Sequence, residues 1–436
     1  MGLIIVVFVL LLILGVPISI SIGASAIAGC LYLGYDLVII GQQMVNGIDS
    51  FLLIAIPLFI MAGNLMNAGK ITGKIFDTAK ELVGWIPGGL GHANVVASVV
   101  FAGMSGSAVA DAGGLGTIEM EAMKSNGYDR DFSGAITAAS SVIGPIFPPS
   151  IPLVIYGSVA SVSVAKLFMG GIVPAVIMAV LLMVMVYIYA VKRNYERTAF
   201  SAKRFFCQFI GSIPALITPL IILSGSIPAL ITPLIILSGF TLGWFTPTEA
   251  SSIAVVYSLL VATFVYRSMD WKTFKKCLLD SAISSANTLF IIGTSTLFTY
   301  IMAMEGVSRQ MSSAILSVSS NKVVILLLIN VLLLVLGMFM EPGAILTLML
   351  PVLIPIATSL DLDMVHFGVM LVLNLMIGQV TPPFGVCLFV ISDCNKLKLE
   401  SLYKSILPFL VPLIATLLLV TYVPWFVTAL PKALLG

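Results

Sequence analysis

The stretch MSGSAVADAGGLG, Met104–Gly116, holds two hydroxyls, one carboxylate and four glycines inside a long apolar run. Glycine weakens helices, and a buried carboxylate is costly, so both need a reason at membrane depth. Irregular backbone is tolerated there only where protein or a water-filled cavity satisfies it. The stretch therefore predicts a broken hairpin, spanning 88–123, with its tip at Ser105–Ser107.

Its surroundings are apolar throughout. Only 9% of the 436 residues are charged and 59% are hydrophobic, with a mean hydropathy of +1.15. A soluble domain carries about 25% charged residues, so lipid must serve as part of the solvent. A net charge of +2 argues against nucleic acid as a partner. The cysteines are scattered, and His92 and His366 lie far apart, which disfavours a disulfide scaffold, a metal centre or a Ser-His enzyme. The N-terminus lacks a basic n-region and reads as mature membrane sequence.

Apolar runs suited to membrane helices fall near 3–22, 24–41, 51–68, 168–191, 211–238, 249–266, 284–303 and 405–430. Interrupted runs fall at 88–123, 132–161, 323–360 and 364–392. The positive-inside rule places Lys192–Arg204 and Arg267–Lys276 in the cytoplasm. Lys70, Lys74 and Lys80 before the first hairpin, with Lys124 and Arg130 after it, make it re-entrant from the cytoplasmic side. The second hairpin, 323–360, breaks at EPGA (341–344) and is followed by Asp361 and Asp363, which suggests the opposite side.

The breaks repeat. Gly103-Met104, Gly134, Gly144 and Pro148-Pro149 recur 234 residues later as Gly337-Met338, Gly368, Gly378 and Pro382-Pro383. Ser140 and Asn374 fall on the same offset. Two copies of one backbone facing opposite sides form an inverted repeat, the architecture of secondary transporters with midplane sites at discontinuous helices. A second repeat is literal: GSIPALITPLIILS stands at 211–224 and again at 225–238. One copy with the following GFTLGW already spans a bilayer, so the other reads as a recent tandem duplication or a sequence artefact.

An ordered set of motifs runs along nearly the whole chain: GMSGSAVADAGGLG, IGPIFPPSIPLVIYG, KLFMGGIVPAV, GWFTPTEA, GMFMEPGAILTLMLPVLIPIA and FGVMLVLNLMIGQVTPPFGVCLFV. This set resembles the large membrane (M) subunit, DctM-like, of tripartite ATP-independent periplasmic (TRAP) transporters. The first motif is most similar to sialic-acid-transporting members. The resemblance implies an all-α polytopic inner-membrane protein of inverted repeats, with an elevator-type transport domain moving against a scaffold. It implies sodium-driven uptake of an organic acid, no enzyme activity and no cofactor beyond the coupling Na+. It also implies two partners, a small four-helix membrane subunit and a periplasmic substrate-binding protein. A stand-alone sodium-coupled carboxylate carrier is the alternative.

On this reading residues 1–80 form scaffold helices and an interfacial arm, and 81–166 the first transport half. Residues 167–283 are scaffold with the duplication, 284–400 the second transport half and 401–436 a C-terminal helix. The first sodium site is expected from Ser105, Ser107, Asp111, Gly144 and Pro145. The second is expected from Glu341, Gly343, Gly378 and Thr381, with Glu341 where the family often has Asp. Substrate is expected at Ser107, Pro148, Pro149, Asn374, Pro382 and Pro383. Hydroxyls and the carbonyls freed by proline are natural oxygen ligands for a hard cation. Two readings of Asp111 stand together, a functional buried charge and a helix cap. Asn374 and Ser140 either orient substrate or bond to neighbouring helices.

Overall fold

A computed structural model of the chain describes residues 2–69, 71–193, 195, 246–318 and 321–435. The literal duplication at 211–238, and Lys203 and Arg204 before it, lie outside the described residues. Every regular element among the described residues is helical, and seven helices are long and apolar enough to cross a membrane.

The helices expected to form the scaffold are Gly2–Ile13, Ile18–Leu33, Val38–Ile48, Ala55–Ala68, Pro247–Leu260 and Trp271–Met304. Ala55–Ala68 packs on both Pro247–Leu260 and Trp271–Met304, and the latter also holds Ile18–Leu33 and Val38–Ile48. Helix Trp271–Met304 begins well before the run expected at 284 and carries its charged residues in its first three turns. The run expected at 3–22 is interrupted at Gly15–Pro17, because Gly15 takes φ +75° and Pro17 starts the next helix. Two amphipathic helices, Ile71–Val83 and Val307–Val318, lead from the scaffold into the transport halves.

Each of the two repeats contains two antiparallel arms, a broken helix and a closing helix, and the closing helix of the first, Val164–Arg193, runs into the stretch from 167 expected as scaffold. In the first half these are Gly89–Ser105 with 108–125, Arg130–Ser141 with Ile151–Ala160, and Val164–Arg193. In the second they are Lys322–Phe339 with Pro342–Ser359, Met364–Gly378 with Val386–Asn395, and Leu399–Tyr422. A short last helix, Trp425–Leu435, packs back on Val164–Arg193.

The 234-residue offset governs this architecture. Residues 108–125 shifted by 234 give 342–359, the bounds of the second arm, and Arg130 gives Met364, the start of the second broken helix. The Pro148–Pro149 and Pro382–Pro383 peptide bonds are both cis. Asp129 caps Arg130–Ser141 by accepting from the N–H groups of Asp131 and Phe132 at 2.9 and 3.0 Å. Its counterpart Asp363 caps Met364–Gly378 through Val365 and His366 at the same distances. Each cap satisfies N–H groups that a helix start leaves open, which fixes where both broken helices begin.

Candidate binding site between the two hairpin tips

The first hairpin turns at Gly106, whose φ of +58° favours glycine. A methyl group there would come within 2.9 Å of the Pro149 carbonyl oxygen and 3.3 Å of the Ile151 nitrogen. The tip is therefore pressed onto the Pro148–Pro149 break of its own half. Ser107 then starts the return arm and accepts the Ala110 N–H at 3.4 Å. The arm passes through a π-turn, Asp111–Leu115, at the glycine-rich motif. The glycines there serve packing. A side chain on Gly114 would meet the Asn67 amide of the scaffold at 2.9 Å, and one on Gly116 would meet Thr137 at 2.6 Å.

The second tip is built the same way. Glu341 occupies the position equivalent to Ser107, and its backbone starts Pro342–Ser359. Gly385 donates its N–H to the Met338 carbonyl at 3.3 Å, and Phe339 meets Phe384 with ring centroids 4.5 Å apart. Lower in the arm, a methyl group on Gly378 would lie 2.8 Å from the Gly337 backbone. Two recurring glycines of the sequence are thus the crossing point of two helices.

The tips converge on a cavity of about 300 Å³. Gly106, Ser107 and Pro145 come from the first half, Glu341, Gly343 and Gln379 from the second. Asn64, Asn67, Ser284 and Thr288 come from the scaffold. Glu341 is the one ionisable side chain on this wall among the described residues.

Of the expected site residues, Ser107, Pro145, Glu341 and Gly343 line the cavity. Pro148, Pro149 and Gly144 form the break beneath the first tip, and the Ser150 hydroxyl donates to the Pro145 carbonyl there. Gly378, Thr381, Pro382 and Pro383 form the corresponding turn in the second half, where Tyr403 donates to the Pro383 carbonyl. The Thr381 hydroxyl donates to the Ile377 carbonyl at 2.7 Å, so its own lone pairs remain as acceptors. Ser105 ends the first arm, and its side chain lies outside the described residues.

Asp111 and Asn374 are buried behind the cavity wall. Asn374 donates to the Asn330 side chain at 2.7 Å and to its carbonyl at 2.9 Å. Ser140, its counterpart, donates to the Asn94 amide oxygen at 2.7 Å and accepts from Ser98 at 3.1 Å. Both equivalent residues bond to neighbouring helices. Asn94 continues to Glu119 at 2.6 Å and to Thr137 at 2.8 Å. Asn94 lies before the tip and Glu119 after it, so this bond crosses the two arms of the hairpin.

The sequence reading missed Asn64, Asn67, Ser284, Thr288, Gln379 and Glu119. Gln379 sits 234 residues after Pro145, so the repeat already marked it. Asn64 and Asn67 stand one helical turn apart in an apolar helix, as do Ser284 and Thr288, a spacing that puts each pair on one face.

Residues 5–426 match the family model of the tripartite ATP-independent periplasmic transporter, DctM component. The chain is 42% identical over 396 residues to the sialic acid TRAP transporter large permease protein SiaM of Vibrio cholerae, covering 91% of this chain and 90% of that one. It is also 42% identical to the sialic acid TRAP transporter permease protein SiaT of Haemophilus influenzae, covering 90% of this chain and 62% of that longer protein. Identity is 33% to the C4-dicarboxylate TRAP transporter large permease protein DctM of Vibrio cholerae, over 98% of this chain and 96% of that one. Among solved structures, the Alcanivorax borkumensis YdaH transporter shares the fold at a TM-score of 0.59 and 15% identity, over 88% of this chain and 87% of that one. The relatives are permeases, not enzymes. The chain belongs to the DctM-component family of tripartite ATP-independent periplasmic transporters and is a multi-pass protein of the bacterial inner membrane.

Proposed function

We propose that this chain carries an organic acid, sialic acid first among candidates, into the cell on a sodium gradient. The observation that carries the reading is the charge of the cavity. Its one ionisable lining residue among those described is an acid, Glu341, and no basic side chain faces it. An organic anion sharing about 300 Å³ with a carboxylate needs a cation beside it.

Oxygen ligands for such a cation are at hand. Ser105, Ser107 and Asp111 of the first hairpin, with the Gly144 carbonyl and the remaining lone pair of the Pro145 carbonyl, make one sodium site. Glu341, Gly343, Gly378 and Thr381 make the other. The substrate carboxylate would lie near the starts of the two return arms, where N–H groups and the positive helix ends favour anions. Pro148, Pro149, Pro382 and Pro383 shape the floor on which Ser107 orients the substrate. Asn374 supports that floor from behind. The scaffold wall of Asn64, Asn67, Ser284 and Thr288 stays in place while both transport halves move past it as one elevator. A small four-helix membrane subunit packs on the scaffold, and a periplasmic binding protein delivers substrate. The SiaM and SiaT names support sialic acid as the substrate.

The test is uptake into liposomes containing the chain and its small subunit, with the substrate-loaded binding protein outside. Uptake should saturate, require the binding protein and fall to background when choline replaces sodium. Full uptake without sodium under a proton gradient overturns the coupling. Full uptake without the binding protein identifies a stand-alone carboxylate carrier instead.

A further inference from the structure

A second cavity, of about 380 Å³, lies where the helices Val164–Arg193 and Met364–Gly378 begin. Lys166, Asp363, Thr428 and Lys432 line it, and Met364, Val365 and Pro431 form its apolar wall. None of these residues lines the cavity between the hairpin tips. The positive-inside rule puts Arg193 on the cytoplasmic face. Val164–Arg193 has 30 residues, about 45 Å of rise, so its first turn, with Lys166, stands at the outer face.

The repeat shows that the fold does not require an opening here. On the 234-residue offset Asp363 corresponds to Asp129, whose corner is filled. Tyr128 and Tyr195 stack there with ring centroids 4.2 Å apart, and Arg193 lies 3.7 Å from the Asp129 carboxylate. The second repeat has Leu362, Ala429 and Val427 in their places. Two rings and a guanidinium are gone, and Asp363 forms no salt bridge among the described residues.

The charges around the opening favour an anion. Two helices start there, each presenting the positive end of its dipole. Lys166, in a first helical turn, adds charge of the same sign, and Lys432 adds a second ammonium. Asp363 offsets only part of this. Its Oδ1 is committed to the cap, accepting the Val365 and His366 N–H groups at 2.9 and 3.0 Å. Its other oxygen remains as an acceptor, and a carboxylate takes hydroxyl donors in strong, charge-assisted bonds. Thr428 supplies a hydroxyl in the same wall.

We propose that this cavity binds a hydroxylated carboxylic acid at the outer face, its carboxylate between Lys166 and Lys432 and its hydroxyls on Asp363 and Thr428. The carbon skeleton lies against Met364, Val365 and Pro431, and the volume falls in the range of small-molecule sites. Both signs of charge in the lining enter the choice. Lysines alone would take any small anion, whereas Asp363 repels an anion that brings no hydroxyl donor to it. Holding the transported acid before it reaches the cavity between the tips is a role that rests on the proposed function; the binding itself does not.

The experiment is isothermal titration calorimetry of the chain assembled with its small subunit, in sodium-free choline buffer, with gluconate, sialic acid and propionate as probes. Gluconate and sialic acid should bind saturably, and propionate, which has no hydroxyl, about tenfold more weakly. Lys432→Gln, at an exposed position, should weaken gluconate binding about tenfold while the assembly stays intact. Asp363→Asn, which keeps an oxygen to cap its helix, should weaken gluconate several-fold and leave propionate no weaker. Absence of gluconate binding by wild type overturns the proposal, as does binding unchanged in either variant. Binding that Glu341→Gln removes and Lys432→Gln leaves intact belongs to the cavity between the tips, and also overturns it. Gluconate binding that depends on Lys432 sustains the site even where sialic acid is not carried, so the two readings fail separately.

Discussion

The two transport halves share a backbone but differ in what they bury. Behind the first hairpin lies a chain of polar groups with a carboxyl at each end. Glu119 bonds Asn94, Asn94 accepts from Ser140, Ser140 accepts from Ser98, and Ser98 bonds Asp111. Among the described residues, Asp111 Oδ2 and Glu119 Oε1 have no hydrogen-bond partner. The same place in the second half holds amides and a hydroxyl: Asn374 on Asn330, and Asn330 on Thr421 at 3.0 Å. His366 there is engaged by the Val420 carbonyl at 2.8 Å. Helix breaks thus repeat where backbone geometry demands them, while the side chains behind them have diverged. The tips diverge likewise, with Ser107 facing Glu341 across the cavity.

The sharpest way to break this comparison is to give the second half the chemistry of the first. Asn374→Asp should place an uncompensated carboxylate among amides and cost about 3–5 kcal/mol, seen as a much lower thermal unfolding midpoint. Glu119→Gln, which keeps an acceptor for Asn94, should leave that midpoint close to wild type. If both variants behave alike, the two cores are not chemically distinct. Next in size is the helix crossing. Gly378→Ala drives a methyl group into the Gly337 backbone and should destabilise by about 1–3 kcal/mol, measured by the same melt. An unchanged melt would mean that the crossing relaxes freely.

The two tips should differ in sodium dependence. Glu341→Gln should weaken apparent sodium affinity by about 10–100-fold, since it removes a charged ligand. Ser105→Ala, Ser107→Ala and Thr381→Val each remove one neutral oxygen and should cost a few-fold to about tenfold. Sodium titrations of uptake measure all four, and equal effects at both tips would erase the asymmetry proposed for them. The smallest effect is expected outside both halves. Deleting 225–238 removes one of two identical copies and keeps a bilayer-length run, so expression and uptake should match the parent. Loss of insertion would make the second copy a structural element.

The hairpins and broken helices were legible because glycine and proline act on the backbone at the position where they stand. Gly144, Pro148 and Pro149 needed no knowledge of tertiary contacts to mark their break, whereas Gly103 and Gly337, read as breaks, lie inside the helices Gly89–Ser105 and Lys322–Phe339. The matching caps at Asp129 and Asp363 are equally local, but the sequence reading did not use them. The scaffold wall of the cavity was not legible. Asn64 and Ser284 line the cavity only because the two hairpin tips close it against them, and that contact leaves no local pattern. Glu119 was hidden for a related reason. Its neighbours Lys124 and Glu121 make the helix end look solvated, although Glu119 itself is fully buried.

One helix gives the molecule a mechanical asymmetry. Trp271–Met304 is continuous over 34 residues, about 51 Å of rise, against about 40–45 Å for a bilayer with its headgroups. Its counterpart in the first half is divided at Asp49–Ser50, between Val38–Ile48 and the turn Phe51–Ile54 that leads into Ala55–Ala68. A rod of that length meets a thinner bilayer by tilting or by protruding, whereas a jointed helix can bend where it is divided. Ser158 of the first transport half donates to Ser50 at this joint, at 3.3 Å. Membrane thickness therefore acts unequally on these two helical segments, and the side that yields is the one bonded to Ile151–Ala160.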